Sequence, residues 1–366
     1  KRLFDNGTAT LITNMGTLVE PISKDEYKIK GNCGKQLPPS LFSHNTQVKV
    51  TQSVHAQQDL AHGVLGRIAQ AMRHPDKPIK TFAPTSEPPP SPPHLPPPPP
   101  YRVGAYSLDG LPKMLDADQP PVTFSGMDVT RLERYGELRF AIANMTASPS
   151  RSFFAQTYAN RLLNSLESSE RLSEILGQVQ LSTPFPGGTL GTQFNQVAKV
   201  IRARRELEEE RAVFYVSLRG FDSHNSLQET VRDKFDQVDE ALKSFVSEME
   251  AQGIWKSVVL LTASDFARTL SSNGAGTDHA WGGNYYLLGG GLKGGQMLGK
   301  FPISLGEDSD VNVGRNGRFL PTTPWEAPWY GLAEWFGVGV DRMADILPNA
   351  ANFPEKTLFR ASQLFT

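Results

Sequence analysis

Cysteine is almost missing from this chain. Cys33 is the only one in 366 residues, so no intrachain disulfide can form, and a disulfide scaffold is excluded while the compartment stays open. Long hydrophobic runs are missing as well, and none approaches the length of a membrane span. An excess of either charge is missing too: 37 Lys and Arg stand against 38 Asp and Glu, a formal net charge of -1. That balance gives no bulk attraction to nucleic acid or to an anionic membrane. The chain opens at Lys1, with neither a methionine nor a signal-like stretch, which reads as a processed or incomplete piece.

What is present fits a soluble globular protein. Hydrophobic residues make up 39% and charged residues 20%, enough for a substantial core in a single domain over residues 1–366. Residues 83–100 form a proline-rich surface insertion containing the run EPPPSPPHLPPPPP. Its composition has no core potential, and it offers an extended docking site to a proline-binding partner. Around it the patterning alternates. Thr8 to Asn14 reads as a strand, as do Val213 to Leu218, Val258 to Thr262 and Tyr285 to Leu288. Gln57 to Arg73, Ser152 to Leu176, Gly191 to Glu210 and Leu227 to Gln252 carry helical spacing. Phe235, Val238, Leu242, Phe245 and Met249 form a core stripe on the last of these. Helix between successive strands predicts α/β units and a parallel sheet. Trp325, Trp329 and Trp335 mark a final helix packed on that sheet.

The chemistry-bearing residues follow the strands. Asp222 and His224 stand two apart after Val213 to Leu218, and in extended backbone i and i+2 point the same way, so one ion could meet both. A turn Asp beside an exposed His is the plainer alternative. Asp265 follows Val258 to Thr262, where it could equally cap a helix. Asp278 and His279 are adjacent in the glycine-rich NGAGTDHAWGGN, which a hairpin turn would also explain. Together these acids and imidazoles are the ligand mixture of zinc, manganese or iron sites, at the strand ends where α/β folds place ligands. Ser43 and His44 form a further pair: a hydroxyl becomes a competent nucleophile beside a divalent metal, and is otherwise a polar loop residue. Gly294 to Lys300 has the spacing of a phosphate-binding loop, but Phe301 stands where Ser or Thr must reach magnesium, which rejects that reading.

The motifs GFDSH (220–224), SDFART (264–269) and GTDHAWGGN (276–284), followed by LGGGLKGG, resemble those of the domain of unknown function 1501 family, of the alkaline phosphatase and sulfatase-like superfamily. LITNMGTLVEP (11–21) and Phe42-Ser43-His44 match the family's N-terminal half. The resemblance implies an alkaline-phosphatase-like three-layer α/β/α sandwich with a mostly parallel central sheet, whose first strand is missing from this chain. It also implies a two-metal site for divalent ions (zinc, manganese or calcium). One ion would take Asp222, His224 and His279, and the other Asp265 and the nucleophile, for which Ser43 is the candidate. The activity implied is hydrolysis of phosphate or sulfate esters, in a secreted or periplasmic setting. The missing strand would remove a metal ligand, so an inactive member binding a glycan or a protein stays open.

Overall fold

The computed structural model describes residues 1–29, 34–57, 61–73, 102–147, 152–314 and 316–366. Cys33 and the proline-rich insertion 83–100, with its proposed docking role, lie outside the described residues.

The chain enters through α1 (Arg2–Asp5) and turns at Gly7, whose φ of +73° suits glycine, into β1 (Ala9–Gly16). Then come α2 (Lys24–Lys28), α3 (His44–Ser53) and α4 (Val64–Met72). Helix α4 starts later than its apolar spacing predicts. At Gly63 the backbone runs so close to Lys113 that a Cβ would lie 1.9 Å from that carbonyl oxygen. Helix α3 has no apolar stripe to announce it. It is held by polar contacts: buried Gln47 donates to the Pro39 carbonyl (2.8 Å), and Trp325 Nε1 donates to the Thr51 carbonyl (2.8 Å).

One sheet has the order β4-β3-β2-β5, built from β2 (Val103–Ser107), β3 (Val122–Ser125), β4 (Asp128–Val129) and β5 (Arg211–Tyr215). β2 runs parallel to β3 and β5, and β4 closes antiparallel on β3. Three helices separate β4 from β5: α5 (Tyr135–Ala147), α6 (Phe153–Gln178) and α7 (Thr189–Arg202). After β5 comes α8 (Leu227–Ala251), which buries Phe245 and Met249 of the expected stripe. Phe235 of that stripe is exposed.

The remaining strands are β6 (Val259–Leu261), β7 (Ala267–Arg268), β8 (His279–Ala280), β9 (Gly283–Gly289), β10 (Gln296–Gly299), β11 (Asn312–Gly314), β12 (Arg318–Phe319) and β13 (Thr323–Pro324). The second sheet runs β10-β1-β9-β6, with β13 also on β1. β10 and β13 are parallel to β1, but β9 is antiparallel to both β1 and β6. The α/β class is as expected, and among the described residues the strands form two mixed sheets in which β9 runs against its neighbours. The cause is local. A parallel return needs a crossover segment, usually a helix. Between β6 and β9 the chain is glycine-rich and forms only the small β7–β8 pair, so it comes back antiparallel. After the strands, α9 (Glu326–Phe336) carries Trp329 into the core that also holds Trp325, and two short helices, α10 (Met343–Ile346) and α11 (Ala361–Leu364), follow it.

Strands β5 and β6 separate the same two hydrophobic clusters. Ala212 and Phe214 of β5 and Leu260 of β6 pack toward the cluster of Phe194 and Phe245. Val213, Tyr215, Val259 and Leu261 pack toward the cluster of Ile12 and Trp325. Both strands thus lie in one layer, yet among the described residues β5 pairs only with β2, and β6 only with β9.

Candidate metal centre

Three loops meet beyond the C-terminal ends of β5 and β6. The first leaves β5 and turns at Gly220 (φ +98°), a left-handed position that favours glycine, before presenting Asp222, Ser223 and His224. The second leaves β6 and presents Asp265 just before β7. The third carries Thr277, Asp278 and His279 into β8. The first and third loops are joined by Thr277 N–H donating to the Ser223 carbonyl at 3.1 Å. Their approach depends on Gly276, where a Cβ would stand 2.3 Å from the His224 carbonyl carbon. The start of α3 adds His44 from a fourth direction.

Asp222 is the hub. Its Oδ1 lies 3.0 Å from His224 Nε2 and 3.1 Å from His279 Nε2, and those two nitrogens are 3.1 Å apart. Arg268 Nη1 also donates to Oδ1. The other oxygen, Oδ2, lies 3.1 Å from His44 Nε2, while His44 Nδ1 meets Asp265 Oδ2 at 2.8 Å. Phe266 stacks on the His279 ring at 4.1 Å between centroids. The cluster is open to solvent: 41% of the Asp222 side chain and 18% of the His279 side chain are exposed.

Hydrogen-bond logic assigns the imidazoles. His279 Nδ1 lies 2.9 Å from the Phe42 carbonyl oxygen, which can only accept, so Nδ1 carries the proton. In neutral His279 the Nε2 lone pair then faces the Asp222 carboxylate. An acceptor facing an acceptor requires a positive charge between or on them, supplied either by imidazolium or by a cation. A histidine whose outer nitrogen donates to a carbonyl is also the usual support of a metal-binding imidazole. His44 differs, because both its nitrogens face carboxylates and both must donate. Burial works against its charged form, but the bonds to Asp265 and Asp222 outweigh it and raise its pKa above the ordinary histidine value. Burial likewise opposes the Asp222 carboxylate, and the bonds from His44, from His279 when that ring is charged, and from Arg268 prevail, holding its pKa at about 2.

The donor set fits a divalent ion. Three ligand atoms bound at about 2.1 Å to a tetrahedral centre stand about 3.4 Å apart, close to the 3.0 to 3.1 Å edges of the Asp222, His224 and His279 triangle. His44, Asp222 and His279 form a second possible group, with ligand atoms all within 4.8 Å of one another. Of the residues singled out from sequence, Asp222, His224, Asp265, His279 and His44 are brought together. Asp278 stands behind His224, with Oδ1 3.7 Å from its Nδ1 and 2.9 Å from the Asn273 amide nitrogen. The Ser43 hydroxyl does not cap α3 and makes no hydrogen bond within the cluster, though its two chain neighbours both contact the cluster. Sequence reading missed the Phe42 carbonyl, since a backbone atom leaves no mark on residue type. It also missed the part played by Arg268, whose one signal is a cation three residues beyond Asp265. Arg318 flanks the cluster as well, donating from Nε to the His279 carbonyl at 2.9 Å.

Fold and cluster together define a mixed α/β protein with acids and imidazoles gathered at strand ends. A family model described as "Protein of unknown function (DUF1501)" matches residues 136–316. That span includes Asp222, His224, Asp265 and His279, so the likeness to this family takes in the cluster. No curated protein and no solved structure matches the chain.

Proposed function

We propose that the chain is a metal-dependent hydrolase of phosphate or sulfate esters, built on an alkaline-phosphatase-like frame. The observation that carries this reading is the triangle of Asp222, His224 and His279, with His279 Nε2 left as a lone pair by the Phe42 contact. Two imidazoles and a carboxylate suit zinc or manganese better than calcium, which takes oxygen ligands. A divalent ion held there supplies Lewis acidity toward an ester oxygen. Arg268 and Arg318 give the rim positive charge for an anionic ester. His44, doubly hydrogen-bonded, holds a proton at Nε2 beside the cluster, and Ser43 next to it is the candidate nucleophile. The layer shared by β5 and β6, unpaired with each other among the described residues, is the feature of the fold that agrees with such a sandwich. The superfamily reading brings a secreted or periplasmic setting with it.

One observation favours a non-catalytic member that binds a glycan or protein. The His44 ring, bonded to both Asp222 and Asp265, sits where a second cation would lie, which leaves a single ion position. The test is elemental analysis of protein purified without chelator, followed by turnover of p-nitrophenyl phosphate and p-nitrophenyl sulfate with added zinc or manganese. Bound metal with chelator-sensitive turnover supports the hydrolase. Bound metal with no turnover of either ester supports the binding module. Absence of metal overturns both forms of the metal reading.

A further inference from the structure

Arg318 reaches both partners of the contact that orients His279. Its Nε donates to the His279 carbonyl at 2.9 Å, and its guanidinium carbon lies 4.2 Å from the centre of the Phe42 ring. Phe42 in turn offers its carbonyl oxygen to His279 Nδ1 at 2.9 Å. One side chain thus holds the backbone of the histidine and the ring of the residue that sets its tautomer. The backbone brings Arg318 there: Gly282 N–H donates to the Phe319 carbonyl at 2.7 Å, which lays β12 against the chain that follows β8.

Phe266, the other neighbour of the His279 ring, cannot set the tautomer. It stacks on His279 with 4.1 Å between centroids and 30° between planes. A stack fixes the plane of an imidazole but not its edge, because a half-turn about the Cβ–Cγ bond keeps the plane and exchanges Nδ1 for a carbon. The edge is chosen by the Phe42 carbonyl, which belongs to a half-buried residue in the turn before α3. A cation at this place also carries a cost. A guanidinium beside a metal centre repels the ion through space, so its removal would tighten binding by that effect alone. An arginine that orients a ligand acts in the opposite direction, since loss of such outer support weakens metal affinity. The sign of one substitution therefore separates the two roles.

We propose that Arg318 is a positioning residue: it clamps Phe42 to His279, fixes the ring proton on Nδ1 and so keeps the Nε2 lone pair toward Asp222 and the metal. The clamp rests on the metal reading of the cluster, but it also dictates the state of the ring without metal.

The test uses the chelator-treated full chain with isotopically labelled histidine nitrogens at about pH 9, above the range where free imidazole protonates. Long-range proton–nitrogen spectra report which ring nitrogen holds the proton, and His279→Gln identifies the His279 signals. Wild type should show the proton on Nδ1 alone. Arg318→Gln should give a mixture of both tautomers, and Arg318→Lys, which keeps a donor and a cation, should shift the mixture back toward Nδ1. Should Arg318→Gln not fold, Phe42→Leu carries the same spectral expectation, because it keeps the carbonyl and removes the ring beneath the guanidinium. Zinc affinity, read by competition with a chromogenic chelator, should fall about tenfold in Arg318→Gln and less in Arg318→Lys. Phe42→Leu combined with Arg318→Gln should cost no more than the larger single loss, as for two residues acting through one contact. An Nδ1 proton undiminished in Arg318→Gln overturns the proposal, as does wild-type His279 protonated on Nε2 or on both nitrogens. Tighter zinc binding by Arg318→Gln overturns it too, and leaves Arg318 acting by charge alone. A wild type that binds no zinc ends the metal reading, while the ring spectra still decide the clamp.

Discussion

His279 donates through Nδ1 to the carbonyl oxygen of Phe42 at 2.9 Å, so the segment leading into α3 decides which ring nitrogen faces Asp222. That contact spans 237 residues of sequence and ties the N-terminal third of the chain to the GTDH loop. The centre is thus assembled only when the fold is complete.

Replacement of His279 tests the metal triangle directly. His279→Ala should cut zinc or manganese content at least tenfold, the usual scale for removing a ligand or its support, while the thermal melt of the metal-free protein shifts little. Equal metal in both proteins rules out the triangle. Metal affinity should also fall as pH drops through about 6, where free imidazole protonates.

Ser43 separates chemistry from binding. If its hydroxyl attacks the ester, Ser43→Ala abolishes turnover of p-nitrophenyl phosphate and leaves metal content unchanged. Undiminished turnover in the variant would falsify the assignment, and His44 would then be the next residue to replace.

Gly276 holds two ligand loops against each other. A Cβ there would stand 2.3 Å from one His224 backbone atom and 2.4 Å from another, and backbone cannot swing aside as a long side chain can. Gly276→Ala should destabilise the fold by roughly 2 kcal/mol and weaken metal binding together with it. A melt and a metal titration indistinguishable from wild type would show that the loops part without cost.

Glu326 predicts a pH dependence away from the centre. Its carboxyl is fully buried, and burial raises its pKa from 4.5 to about 8 against the weaker opposing bonds from its own backbone and from Asn349. The folded state therefore holds a proton that the unfolded state releases near 4.5. This contribution to stability is complete below that value and is lost as pH rises toward 8. At about 1.4 kcal/mol per pH unit the loss amounts to a few kcal/mol. Glu326→Gln should flatten the dependence and melt higher than wild type at pH 8. Parallel melting curves from pH 5 to pH 8 would contradict this.

Much of the centre was legible because its residues follow apolar runs. Asp222, His224, Asp265 and His279 are visible as acids and imidazoles just past strands, and the structure gathers all four. His44 was legible as a residue but not in its role, since α3 is stabilised by buried Gln47 and Thr51 rather than by an apolar face. Strand direction was not legible: β9 has the composition of any buried strand, and only the want of a helix before it argued for antiparallel pairing. Helix α5 escaped notice for a related reason, because exposed apolar positions give it no amphipathic pattern to read.

The unpaired flanks of β5 and β6 carry a consequence for handling this protein. Among the described residues no strand stands opposite either flank, and strand edges left open recruit strands from neighbouring chains. Their side chains are apolar on both faces, so a recruited strand would gain burial as well as hydrogen bonds. Association that grows with concentration, and that a short β-forming peptide suppresses by occupying the gap, is the behaviour this arrangement dictates.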